Sequence, residues 1–207
     1  MQNLKIVKNK ISKNSKNIFL VHQVHSNRFI FLNNIPRKSE RIKADAIITN
    51  LKKLPIAVLT ADCVPVLLYE NEKKMIAVIH AGWKGAVKGI ISKVVNFMKK
   101  KGCKTNVITA AVGPSIAQKS YEVKNGFKKK FLKKDKSNNI FFKERNNQIY
   151  FNLPKYVKSQ LKLMQISKIE TLNIDTFDKK NNFFSARQSL NSNHDDYGRN
   201  ISLIMIN

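Results

Sequence analysis

The first half of the chain sets short apolar runs between polar punctuation. Residues 44–49, 56–60, 64–69 and 75–79 are rich in Ile, Val, Leu and Ala, which predicts four short strands. Their apolar runs are continuous, as expected of strands covered on both faces. The period then changes. Over residues 85–101, Val87, Ile90, Ile91, Val94, Val95 and Met98 recur at helical spacing, with Lys88, Lys93 and Lys99 opposite. Gly102 stands where a helix C-terminus takes glycine. Residues 106–112 resume strand patterning, and Gly113-Pro114 breaks it. Residues 126–134 read as a short basic helix with Phe127 and Phe131 four apart, and residues 139–143 and 148–151 suit a hairpin turning at Asn146-Asn147. Residues 153–164 predict a further helix with Pro154 in its first turn, and residues 169–174 and 201–206 are expected to close the sheet.

Strands outnumber long helices and do not alternate strictly with them. The pattern therefore argues for a mixed α/β fold of the α+β kind, with mixed β-sheets flanked by helices, and against a simple doubly wound sheet. No repeat, proline-rich linker or shift of composition divides the chain. Residues 1–207 are expected to form one compact domain, with 1–16 a loosely ordered or edge segment.

Composition adds three constraints. No run approaches the ~18 apolar residues of a membrane span, and the start lacks the apolar stretch of a secretory signal. Two cysteines, Cys63 and Cys103, are too few for a disulfide framework, so a cytoplasmic location with reduced thiols is expected. The net charge of +26 raises the question of nucleic acid, but its lysines are scattered and only six arginines accompany them. Lys, Asn and Ile are abundant together, which points to a compositional bias at solvated positions. The positive field would still steer anionic ligands such as phosphate.

His25, Cys63 and His80 each follow a short apolar run. Two imidazoles and a thiolate leave one position of a tetrahedral ion open, the ligand count of a catalytic zinc site. His22 and His25 are three apart, so on a regular strand they point to opposite faces and at most one reaches the site, unless the chain turns between them. The competing reading is that each His is a satisfied core residue and each Cys a small hydrophobe. For Cys103 that ordinary reading is the preferred one.

A series of motifs bears on the choice: Gln23-Val24-His25-Ser26, Ala44-Asp45-Ala46 with Thr49, Thr60-Ala61-Asp62-Cys63-Val64-Pro65-Val66, and His80-Ala81-Gly82-Trp83-Lys84-Gly85. Gly113-Pro114-Ser115-Ile116 with Tyr121-Glu122-Val123, then Phe184-Ser185-Ala186-Arg187 and Gly198-Arg199, continue the series. In order and wording it resembles the YfiH-type family, also called laccase-domain or polyphenol-oxidase-like proteins, from about residue 17 onward. The resemblance implies zinc ligands at His25, Cys63 and His80. It also implies phosphorolysis of adenosine, inosine, guanosine and methylthioadenosine to base and ribose 1-phosphate, with adenosine deaminase activity. The implied partners are purine nucleosides and inorganic phosphate. Among residues in the matching motifs, Arg187 foremost, then Lys84 and Arg28, are candidates to hold phosphate, and Gln23 joins the substrate-binding set. Asp62, Cys63 and His80 form the expected catalytic group, Asp62 orienting a ligand or accepting a proton. The ordinary readings are a salt-bridge partner for Arg187, a solvated residue for Lys84 and a turn or cap for Asp62. Gly82, Gly85 and Gly113 are read as permitting tight turns. The chain departs from the pattern at Asp175-Thr176, where many relatives carry Cys-Thr, and at Ser115 and Ser120, where cysteines are common.

Three rivals remain. A multicopper oxidase needs more imidazoles than His22, His25, His80 and His194 supply, although copper is a second choice of ion. A cysteine hydrolase, or an amidase editing cell-wall precursors, would use Cys63 as nucleophile and His80 as base. A basic nucleic-acid binder would show steep salt dependence and tolerate His25→Ala.

Overall fold

In a computed structural model, residues 2–11, 16–34, 42–193 and 197–207 are described. The chain opens with helix α1 (Gln2–Ile11), then two short strands, β1 (Phe19–Leu20) and β2 (Phe29–Leu32). The part of 1–16 that is described is thus mostly helix; Met1 and residues 12–15 lie outside the described residues. The four strands expected next are present as β3 (Ala46–Thr49), β4 (Ile56–Thr60), β5 (Val64–Glu70) and β6 (Met75–Ala81). The helix expected at 85–101 is two helices, α2 (Trp83–Val87) and α3 (Ile90–Lys100). Gly89, at φ +80, turns the chain between them, a conformation glycine adopts without strain. Ile90, Ile91, Val94, Val95 and Met98 are buried as their period requires.

Strand β7 (Ile108–Val112) precedes the short β8 (Glu122–Val123) and the basic helix α4 (Asn125–Lys134). The expected hairpin forms from β9 (Phe142–Arg145) and β10 (Gln148–Phe151). Asn146 and Asn147 both take positive φ in its two-residue turn, the geometry that matches strand twist. Residues 136–141 are 3-10 helix instead of strand. Helix α5 (Leu153–Leu163) is capped by Asn152, whose side chain accepts from the Lys155 amide at 2.9 Å. Strand β11 (Lys168–Thr171), the short helix α6 (Ala186–Asn191) and β12 (Asn200–Ile204) complete the elements.

A six-stranded mixed sheet, in the order β11-β7-β5-β6-β3-β2, forms the centre. Its faces explain the continuous apolar runs. Along β6, Ala77, Ile79 and Ala81 pack with α3 and α5 residues, while Ile76 and Val78 pack with Ile56 and Val58 of β4. The second face is covered by a three-stranded sheet, β1-β4-β12. The C-terminal strand therefore closes this smaller sheet, and β11 edges the large one. A third sheet, β8-β10-β9, gathers an aromatic cluster with α4: Phe127 and Phe131 stack at 4.9 Å and Phe131 meets Phe151 at 4.6 Å. Among the described residues no helix is long and apolar enough to cross a membrane.

Candidate metal and substrate site

His80 lies near the end of β6 in the register of Ile76 and Val78, so the pleat aims it toward the smaller sheet. It is 3% exposed. Cys63 sits half-buried in the turn joining β4 and β5. His25 comes from neither strand nor helix: it lies in the bend after β1 at φ 56. Because the chain turns there, strand alternation does not apply, and both His22 and His25 line the same cavity.

One buried carboxylate builds that bend. Asp45 Oδ1 accepts from the His25 amide at 2.9 Å, and Oδ2 accepts from the Ser26 amide at 2.6 Å and the Ser26 hydroxyl at 2.7 Å. The Val24 amide also points at it, 3.2 Å from Oδ1. The same Oδ1 meets His80 Nδ1 at 2.8 Å. This bond directs the Nδ1 proton to the carboxylate and leaves Nε2 as the ligand atom. Burial alone would raise the Asp45 carboxyl, but its bonds to His80 and Ser26 outweigh that and hold it down at about 2.

The donor atoms of His25, Cys63 and His80 lie within 4.8 Å of one another. Cys63 Sγ is 3.7 Å from His25 Nε2, near the about 3.5 Å that sulfur and nitrogen donors span across a tetrahedral zinc. The set thus fits one metal ion with an open position. Burial opposes charge on Cys63, yet hydrogen bonds and positive charge from His25 and His80 bring its thiol down to about 6. Burial likewise opposes charge on His80, and Asp45 together with the Cys63 thiolate hold it up at about 9. Both shifts favour the charged forms of the pair, thiolate on Cys63 and imidazolium on His80.

Close packing makes the convergence possible. A Cβ on Gly82 would stand 2.8 Å from His25 Cδ2 and 3.0 Å from Cys63 Sγ, and one on Gly85 would meet the Ser26 carbonyl at 2.7 Å. These two glycines let α2 approach the His25 bend, a different use from a turn conformation.

The other sequence candidates separate. Asp62, at φ 80, accepts from the Thr176 hydroxyl at 2.8 Å on one oxygen and from the Arg187 amide at 2.7 Å on the other. Arg187 lies with its guanidinium 5.3 Å above the Tyr121 ring and donates to the Glu122 carbonyl at 3.0 Å. Gln23 spends its amide on Leu59, donating to the carbonyl at 2.7 Å and accepting from the N–H at 2.8 Å, as a strand neighbour would. Arg28 is exposed, and Lys84 leans over Trp83 at 5.7 Å. Neither lines the cavities beside the triad. The two departures from the family pattern meet each other: the Ser120 hydroxyl donates to Asp175 Oδ2 at 2.7 Å, and Asp175 Oδ1 accepts from Ala117 N at 3.0 Å. Asp175 thus fastens the segment leading to Tyr121 instead of lining the triad.

Sequence reasoning missed Asp45, although it stands in a quoted motif; a short acidic residue beside a strand carries no mark of burial. It also missed α6, whose signal was present as Ser185 three before Gln188: the Ser185 hydroxyl caps the Gln188 amide at 3.1 Å. Tyr121, Tyr197 and Arg199 join the site only in three dimensions. His194 lies outside the described residues.

A chain with this fold and this donor set can be placed among known proteins. Residues 1–207 match the family described as multi-copper polyphenol oxidoreductase laccase. The hypothetical protein YfiH of Bacillus licheniformis shares the fold, with a TM-score of 0.88 over 100% of this chain and 80% of its own at 22% identity. A purine nucleoside phosphorylase of Rickettsia prowazekii is 38% identical over 181 residues, 84% of this chain and 72% of that protein. An adenosine deaminase from an unknown prokaryote is 46% identical over a shorter 79 residues, 38% of this chain and 30% of that protein. The protein belongs to this laccase-like, YfiH-type family.

Proposed function

We propose that the protein is a zinc-dependent purine nucleoside phosphorylase, acting on adenosine, inosine, guanosine and methylthioadenosine, with adenosine deaminase activity. The observation that carries this reading is the convergence of His25, Cys63 and His80 on one cavity, in a chain similar over most of its length to a named purine nucleoside phosphorylase. Two imidazoles and a thiolate suit Zn2+, with copper the second choice. Bound there, Zn2+ supplies Lewis acidity at its open position.

The chain's own residues supply positioning. Asp45 fixes the His80 tautomer and holds the His25 bend. Asp62 acts by locking α6 and the Thr176 segment beside Cys63, since both of its oxygens are engaged. Arg187 and Tyr121 wall the nucleoside, Gln23 fixes the cavity edge, and Lys84 and Arg28 add to the positive field of the chain without lining the cavity. In phosphorolysis a phosphate oxygen bonds to ribose C1′ as the C1′–N9 bond breaks. The bonding pair leaves on the purine ring, and the proton of hydrogen phosphate ends on the base.

The test is metal analysis of the purified protein beside assays on adenosine and inosine, with and without phosphate, and the same for Cys63→Ala. About one zinc per chain with phosphate-dependent release of base, both lost in the variant, is the expected outcome. Zinc without nucleoside turnover would sink the substrate and turn attention to cell-wall precursors. The lowered Cys63 thiol favours a second reading, a cysteine hydrolase with His80 as its base. A metal-free protein with a freely alkylated Cys63 would favour it. A laccase would need several copper centres, and four histidines cannot ligate them.

A further inference from the structure

Two neighbouring residues beyond β11, Asp175 and Thr176, are 6% and 1% exposed, and their side chains hold different walls of one cavity. That cavity, of about 210 Å³, is lined by Asp62 and Cys63 from the turn after β4, by Ile116 and Tyr121 after β7, and by Trp83 and Arg187. A parallel bridge between Ser115 and Asp175 continues the pairing of β7 with β11 and brings the dipeptide alongside the 115–121 segment.

Asp175 spans the 3-10 turn Gln118–Ser120. Its Oδ1 accepts from the Ala117 amide at 3.0 Å, just ahead of the turn, and its Oδ2 from the Ser120 hydroxyl at 2.7 Å, at the turn's end. The next residue is Tyr121, whose ring meets Phe127 at 6.2 Å and Phe151 at 6.0 Å. Thr176 reaches the other wall: its hydroxyl donates to Asp62 Oδ1 at 2.8 Å. Asp62 extends the tie to α6 by accepting from the Arg187 amide, and to Ile116 by accepting that residue's amide on its carbonyl at 3.1 Å.

We propose that Asp175 is a positioning residue for nucleoside binding, with Thr176 as its second arm. Together they set the spacing between Tyr121 and the Cys63 turn, and so the fit of the purine. The proposal rests on the phosphorylase reading above. Neither side chain lines the cavity, so both act through the residues they hold. A buried carboxylate that takes donors from both ends of a short turn fixes where the turn delivers its next side chain, and affinity for a flat ring is sensitive to that placement. The donor set is held by other means. Asp45 fixes His80 and the His25 bend, whereas the side-chain bonds of Asp175 end on Ala117, Ser120 and Phe177.

Trp83 is the chain's one tryptophan and lines the same cavity, so its quenching follows inosine binding. In the zinc-loaded protein this is measured beside kcat and the KM values for inosine and phosphate. Asp175→Ala is expected to weaken inosine about tenfold, in dissociation constant and KM alike, with zinc content and phosphate KM within about twofold. Asp175→Asn should restore inosine affinity, because its carbonyl can accept both amides while its NH2 donates to Ser120. Ser120→Ala removes one bond and should cost about threefold, which keeps the test open should Asp175→Ala fail to fold. Unchanged inosine affinity in either alanine variant, or equal losses of inosine, phosphate and zinc, overturns the positioning role and leaves the phosphorylase reading standing. So does an Asp175→Asn protein that behaves as Asp175→Ala. Failure of the wild-type protein to cleave inosine with phosphate removes that reading and the proposal with it.

Discussion

The two imidazoles of the donor set reach the same point from opposite kinds of structure. His80 stands on a central strand, its amide donating to the Asp45 carbonyl at 2.7 Å and its position fixed by the ladder with β5, where it pairs with Pro65. His25 stands on an exposed bend at positive φ, held by amides that converge on the Asp45 side chain. One ligand is placed by the pleat of a sheet, the other by a single carboxylate. Asp45 ties them together, its main chain holding the amide of one and its side chain the bend of the other. A site of this design is as rigid as that carboxylate's bonds.

The two histidines share one more property, their action on Cys63, and there the largest effect is expected. In the metal-free protein, alkylation of Cys63 should rise as pH increases through about 6, since the reactive thiolate forms above that value. Removing His25 or His80 should move the midpoint up toward the ordinary thiol range, lowering the thiolate fraction at acid pH by up to about a thousandfold. Cys103, buried beside Met75 with its thiol pushed up to about 11 by burial and the Glu70 charge, should stay inert throughout. A midpoint indifferent to both histidines would mean that the triad does not converge in solution.

Asp45→Ala breaks the shared tie. It orphans the amides of the bend and frees the His80 tautomer, so metal affinity should fall about a hundredfold in a chelator competition. Stability should drop as well, by roughly 2–3 kcal/mol, because buried donors lose their partner.

Gly82→Ala probes the His25 side alone. The new methyl group would crowd His25 Cδ2 and Cys63 Sγ, so a loss of about tenfold in metal affinity is expected with the thermal midpoint little changed. Equal losses of affinity and stability would show that the bend and the sheet are one unit.

Gly89→Ala is the smallest and serves as the contrast. At φ +80, with Ser92 Oγ 3.0 Å from the added Cβ, it should destabilise by about 1 kcal/mol and leave metal binding unchanged.

Much of the central sheet was legible because buried strands advertise themselves: β3 to β6 lie within a residue or two of the apolar runs that predicted them. Helix α4, helix α5 and the Asn146-Asn147 hairpin were legible for local reasons, an aromatic i,i+4 pair, a proline at the first turn and two residues tolerant of positive φ. The break between α2 and α3 was not. Its glycine sits inside an unbroken helical period, and only the folded backbone shows Gly89 at positive φ turning the chain there. Strands β1 and β2, two and four residues long, are too short to carry a period.

By itself, then, the sequence determined which segments form buried strands, because that follows from local periodicity, and its side-chain chemistry with the family resemblance singled out His25, Cys63 and His80 as metal-competent donors. The tertiary structure alone decided that the His25 bend faces Cys63 and His80, and that Asp45 is buried between that bend's amides and the His80 imidazole. It alone decided that both oxygens of Asp62 and the amide of Gln23 are consumed by hydrogen bonds. It also set Arg187 over Tyr121 and Arg199 in the cavity lined by His22. Those outcomes depend on contacts spanning 20 to 125 residues of chain, such as His25 with Asp45 and Asp62 with Arg187. A hydrogen bond between distant residues leaves no period behind it, so burial and partnership could be known only once the strands were packed.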